Sequence, residues 1–301
     1  MPTSTERQDS AADNDGVGPH EEAFAFDCEG EALVGILHRP PHDAPCGALG
    51  TGVVVIVGGP QYRAGSHRQF VSLARALAAA GHPVLRFDSR GMGDSSGALR
   101  QFEQITPDVK AASDALCRQV PQVQRIALWG LCDAASAALL YAHAHPDTRV
   151  RGLCLLNPWV RSEASLARTQ VKHYYAQRLR QRGFWLKLLS GRVAGQAVRG
   201  LWSNLLKARQ KPGSSGPLPF QARMADAWRK FDGSLLLALS GDDYTAKEFL
   251  EFAAASPDWH GLFERRGLSR VDLPDADHTL SASADQRAMN SITIQWLGSL
   301  P

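Results

Sequence analysis

The chain has 301 residues, 44% of them hydrophobic, and a formal net charge of +3. That apolar share is ordinary for a globular protein with a sizeable core, and no stretch approaches the ~18 uninterrupted apolar residues of a transmembrane helix. The five cysteines, Cys28, Cys46, Cys117, Cys132 and Cys154, are odd in number and scattered, which argues against a disulfide framework and for a reducing, cytoplasmic location.

The charges are unevenly spread. Trp159 to Phe231 holds 15 of the 33 Lys and Arg and two of the 30 acidic residues, Glu163 and Asp226, so it is +13 while the remainder is −10. A basic module set into an acidic body is expected to meet an anionic partner. A long nucleic acid is not expected there, because no nucleic-acid motif accompanies the segment and the acidic body would repel a polyanion.

In chain order, residues 1–20 form a polar lead without an apolar h-region, expected to be disordered and not a signal peptide. Glu22 to Cys28 and Ala32 to His38 read as paired strands joined across Glu29-Gly30. Thr51 to Val57 is a continuous β-branched run of the kind buried on both faces of a parallel sheet, and it ends in Gly58-Gly59-Pro60-Gln61. A helix follows from His67, stopped by Gly81 and Pro83, and then a strand over Pro83 to Phe87. A helix over Asp108 to Val120, a strand over Ile126 to Trp129, a helix over Cys132 to His143 and a strand over Val150 to Leu156 continue the alternation. After Trp159 it stops. Leu166 to Leu189 and Leu201 to Ala208 have helical texture, and Lys211 to Pro219 reads as a linker. Strands resume at Ser234 to Leu239 and Ser269 to Leu273, and Ala284 to Leu297 is a closing helix. Alternating strands and helices predict a mostly parallel sheet flanked by helices, with a core over 21–158 and 232–301 and a basic helical cap inserted at 159–231.

Gly130-Leu131-Cys132-Asp133-Ala134 joins the strand at Ile126 to the helix behind it. A sharp strand-to-helix turn with small residues two before and two after a nucleophilic side chain is the pattern of a nucleophile elbow, here with Cys132 in place of serine. At a helix start the thiolate is favoured by the free N–H groups and the macrodipole. After a late strand come Asp242 and Asp243, and after the last strand comes His278, giving the order nucleophile, acid, histidine.

That order, with each group at a strand end, resembles the α/β-hydrolase fold over everything beyond the polar lead. Asp88 to Ser95 is similar to the D-x-R-G-x-G-x-S run of many members, where it serves as scaffold. A closer resemblance is to the exosortase A system-associated hydrolase 1 family of bacteria. It rests on G-G-P-Q-Y-R-A-G-S-H-R from Gly58, G-L-C-D-A-A-S-A from Gly130, N-P-W-V-R from Asn157 and S-G-D-D-Y-T-A-K-E-F from Ser240. The resemblance implies a cytoplasmic hydrolase linked to exopolysaccharide and protein-sorting systems and supplies no established substrate; no cofactor or metal is expected. It also favours Asp243 as the acid, with Asp242 the alternative.

On this reading His278 takes the Cys132 proton and later protonates the leaving group, while Asp243 fixes the histidine tautomer. The oxyanion hole would use the N–H of Asp133 and one from the loop after Thr51 to Val57; Pro60 has none, so Gln61 is the expected donor and Gly59 the weaker one. A cysteine nucleophile suits esters and thioesters. The basic cap would recruit an anionic carrier: a carrier protein, a coenzyme A thioester or a lipid surface. An acyltransferase using the same site, or a non-catalytic module that kept the fold, are the competing readings.

Overall fold

The computed structural model describes residues 20–41, 50–59, 61–161 and 218–301. Among them, eight strands form one sheet: β1 (His20–Cys28), β2 (Glu31–Arg39), β3 (Thr51–Ile56), β4 (Val84–Phe87), β5 (Arg125–Leu131), β6 (Val150–Leu156), β7 (Ser234–Asp242) and β8 (Leu268–Asp277). Their order across the sheet is β1-β2-β4-β3-β5-β6-β7-β8. β1 and β2 make an antiparallel hairpin, β2 runs antiparallel to β4, and every neighbour pair from β4 to β8 is parallel. The hairpin turns at Glu29 and Gly30 with φ of 56° and 85°, the backbone twist that a two-residue connection between antiparallel strands requires.

The central strands are buried along their whole length because helices cover both faces. Side chains alternate across the pleat, so β3 sends Val54 and Ile56 into one core and Val53 and Val55 into the other. The first core is closed by α2 (Thr106–Gln119), α3 (Asp133–Ala144), α4 (Phe220–Lys230) and α5 (Tyr244–Ala255). The second is closed by α1 (Gln69–Ala79) and α6 (Ser283–Leu297). α1 buries Phe70, Leu73, Ala74 and Leu77 at helical spacing, a one-sided apolar face. In α3, Ala134 to Tyr141 is buried all round, which is why no polar face interrupts that run.

Three features go beyond the sequence reading. β7 and β8 are longer than expected, and past an irregularity in their pairing Asp242 lies opposite Asp277. α5 follows the acidic pair directly, with Asp243 as its N-cap. α4 falls inside the expected insertion, yet it buries Phe220, Met224 and Trp228 in the first core, packed on α3. Trp228 joins Phe249, Trp259 and Phe263 in a cluster of mainly edge-on rings, and its indole N–H donates to the Leu262 carbonyl at 3.0 Å. The rest of the expected cap, residues 162–217, lies outside the described residues, as do the lead at 1–19 and Cys46. The other four cysteines are free thiols, and among the described residues no helix is long and apolar enough to cross a membrane.

The topology decides where chemistry can occur. β3 lies between β4 and β5, so the chain leaves β3 to one side and returns on the other. At such a switch point the loops at the carboxyl ends diverge and open a crevice. The loop after β3 and the turn after β5 therefore face each other.

Candidate active site

Cys132 stands at the apex between β5 and α3 with φ 63° and ψ −123°, a backbone conformation that costs an L residue ~1–3 kcal/mol. The turn is tight enough to exclude side chains around it. A Cβ on Gly130 would sit 2.5 Å from the Ala134 carbonyl, and Ala134 itself is fully buried. Hydrogen bonds hold the strained residue in place. The Cys132 N–H donates to the Leu156 carbonyl at 2.9 Å, and its own carbonyl accepts from Ala135 at 3.1 Å and from Trp159 at 3.2 Å.

The acid and the histidine arrive from the far strands. Asp243 is the N-cap of α5: its Oδ1 accepts from the Thr245 N–H at 2.9 Å, and its Oδ2 lies 2.8 Å from His278 Nδ1. Burial pushes the Asp243 carboxyl up, but the His278 and Thr245 hydrogen bonds outweigh it and hold it below the ordinary carboxylate range. The His278 ring also interacts with the half-buried Cys132 thiol. The Asp243 hydrogen bond first, and the Cys132 contact second, push the histidine up to about 10 against the opposing effect of burial. Cys132, His278 and Asp243 are thus brought together. Asp242 is exposed at the end of β7, and no hydrogen bond links it to His278.

The expected oxyanion donors, Asp133 and Gln61, border one cavity. Asp133 opens α3, so its N–H is one of the free groups at the helix start. Its side chain turns back to the loop after β3, where Oδ2 accepts from the Gly59 N–H at 2.9 Å. A Cβ on Gly58 would fall 1.9 Å from Asp133 Oδ1, so only glycine leaves room for that carboxylate. Burial raises the Asp133 carboxyl above the ordinary range, opposed by the N–H groups of Gly59, Ala134 and Asp133 itself. The Gln61 side chain accepts from the Ser66 N–H at 3.4 Å. Gly58, Gly59, Gln61 and Asp133 border a cavity of ≈ 590 Å³ whose other walls include Met92, Leu99, Phe102 and Ile105. Among the described residues no cluster of three His, Cys, Asp or Glu could hold a metal ion.

Residues not singled out for a role tie the strand ends together. Asn157, fully buried after β6 with φ 49°, donates its amide to Ser240 Oγ at 3.0 Å and accepts from the Ser240 N–H at 2.8 Å. Ser136 Oγ donates to the Trp159 carbonyl at 2.6 Å. These bonds join the turn of Cys132 to the end of β6, and the end of β6 to the end of β7, which carries Asp243. A polar residue directly after an apolar strand was the available signal, since a buried amide must find partners.

A sequence profile for the alpha/beta hydrolase fold matches residues 52–261. No curated protein matches the chain. Among solved structures, the esterase Pf2001 of Pyrococcus furiosus is similar at 16% identity and a TM-score of 0.60, covering 93% of this chain and 92% of that one. Est1E of Butyrivibrio proteoclasticus, solved with ferulic acid bound, gives 16% identity, a TM-score of 0.59 and coverage of 92% and 100%. XC6422 of Xanthomonas campestris, a serine hydrolase without a lid, gives 15%, 0.55, and 92% and 94%.

Proposed function

The chain belongs to the alpha/beta hydrolase family, and from that premise we propose that it cleaves a carboxylic ester or thioester through an acyl-Cys132 intermediate. The observation that carries this reading is the His278 ring shared between Asp243 and the Cys132 thiol at a strained elbow. His278 is the proton acceptor beside the sulfur, and the thiol proton passes to it as the sulfur attacks. The sulfur attacks the acyl carbon, the carbonyl oxygen takes up the negative charge, and the N–H groups of Asp133 and Gln61 stabilise it. Collapse expels the alcohol or thiol, which takes the proton held on His278. The neutral imidazole then removes a proton from water, whose oxygen displaces Cys132 and releases the acid. Asp243 fixes the ring with Nδ1–H toward its carboxylate and leaves Nε2 for the reaction.

Thioesters as substrates, the anionic carrier at the basic segment, and membership of the exosortase A system-associated hydrolase 1 family are parts of the same proposal. They rest on the sulfur nucleophile, on the +13 charge of residues 159–231 and on the four motifs quoted above. The test is a rapid-mix reaction with p-nitrophenyl and acyl-thioester substrates, with intact-mass detection of the acyl group on the Cys132 peptide. Labelling and turnover that are both lost in Cys132→Ala are expected. Turnover that survives in Cys132→Ala removes the thiol from the mechanism.

A further inference from the structure

The loop that carries Gln61 runs from Gly58 to Gly65, and two of its backbone N–H groups are held by carboxylates. Two residues before Gln61, Gly59 donates to Asp133. Two residues after it, Arg63 donates its N–H to Asp88 Oδ1 at 2.7 Å. Arg63 is fixed at further points. Its guanidinium pairs with Asp88 Oδ2 and with Asp94, the latter at 2.6 Å, and its carbonyl accepts from Arg86 Nη1 at 2.6 Å. Arg86 is in turn held by His38 Nε2 at 2.8 Å.

Arg86 lies in β4, the strand beside β3, in register with Val55, and Asp88 directly follows that strand. The anchoring point thus lies next to the place where the loop leaves the sheet. Asp88 is fully buried, and Gly93 makes room for it, since a Cβ there would be 2.1 Å from Asp88 Oδ2. A buried ion pair is weak as a source of stability, because desolvation offsets much of its attraction. What this one supplies is geometry.

We propose that Arg63 and Asp88 are positioning residues for acyl transfer: they fix the span between Gly59 and Arg63 so that the Gln61 N–H meets the developing oxyanion. This rests on the proposed function, and a displacement of order 1 Å at such a donor costs up to ~100-fold in rate.

The experiment compares two reactions of the same sulfur. Acylation by p-nitrophenyl acetate passes through a tetrahedral oxyanion and depends on the loop. Alkylation by iodoacetamide is a displacement at saturated carbon and forms no oxyanion. Both are read on the Cys132 peptide, with circular dichroism melts alongside. Arg63→Gln and Asp88→Asn are expected to slow acylation ~10- to ~100-fold, in kcat and not KM, and to leave alkylation within about twofold. Arg63→Lys should recover only part, because an ammonium lacks the planar fork that reaches Asp88 and Asp94 together. If Asp88→Asn fails to fold, Arg63→Gln carries the test. An unchanged ratio of acylation to alkylation overturns the inference, as does a parallel loss of both. A parent protein whose ratio is no higher than that of free cysteine has no oxyanion hole, and that result overturns the proposed function as well.

Discussion

Replacing Asp243 by Asn keeps the shape of the side chain but removes the charge that faces His278 Nδ1 at 2.8 Å. That hydrogen bond is the largest influence raising the histidine to about 10. Without it the ring should lose its proton at lower pH, between about 10 and the ordinary ~6.5, because the Cys132 contact remains. The Asn amide also allows the wrong ring tautomer, so ester turnover should drop by ~10³-fold or more. Alkylation of Cys132 measured from pH 5 to 10 separates the two effects. The profiles of parent and variant should differ, because only the parent carries the charge that faces His278. The stabilisation that His278 contributes is complete below ~6.5 and disappears as the pH rises through about 10, so the two proteins should differ least in stability at the alkaline end. If the alkylation profiles of parent and variant superimpose, the carboxylate does not set the state of His278 and the triad reasoning fails.

Gly58→Ala would place a methyl 1.9 Å from Asp133 Oδ1 and 2.8 Å from the Ala134 nitrogen, so the loop must shift; overpacking of ~1–3 kcal/mol in urea titrations and a loss of ester turnover of ~10-fold or more are expected, and wild-type behaviour in both would contradict the packing. His38 accepts from Arg86 only when neutral, and burial, helped by the Arg86 charge, depresses it to about 4. Its contribution is therefore whole above ~6.5 and is lost as the pH falls toward 4; the stability difference between pH 7 and pH 5 should shrink in His38→Gln, and an equal difference in both proteins would remove His38 from the acid response. Asn157→Ala leaves the buried Ser240 N–H and hydroxyl without that partner and should cost ~1–3 kcal/mol by chemical denaturation, whereas a neutral result would mean the strand ends are held elsewhere.

The sequence by itself determined the alternation of strands and helices, because buried parallel strands leave continuous β-branched runs such as Thr51 to Ile56 and helices leave a periodic apolar face such as that of α1. It also determined the elbow, since a turn that admits no side chain at Gly130 and only a methyl at Ala134 leaves its mark at fixed spacing. Local patterns of this kind require no knowledge of what packs against them. Between Asp242 and Asp243 the sequence leaned to Asp243 only through the family likeness; adjacent residues on an extended chain point to opposite sides, and the hydrogen bond of Asp243 to His278, which comes from the end of β8, is a tertiary contact. The partners of Arg63 and Asn157 were likewise invisible. Asp88 lies 25 residues from Arg63, and Ser240 lies 83 from Asn157. α4 gave no local sign that it belongs to the core, because its neighbour α3 and the ring cluster of Phe249, Trp259 and Phe263 come from separate parts of the chain. Hydrogen-bond partners and aromatic clusters are set by which strand ends meet at the switch point of the sheet, and that is a property of the tertiary structure alone.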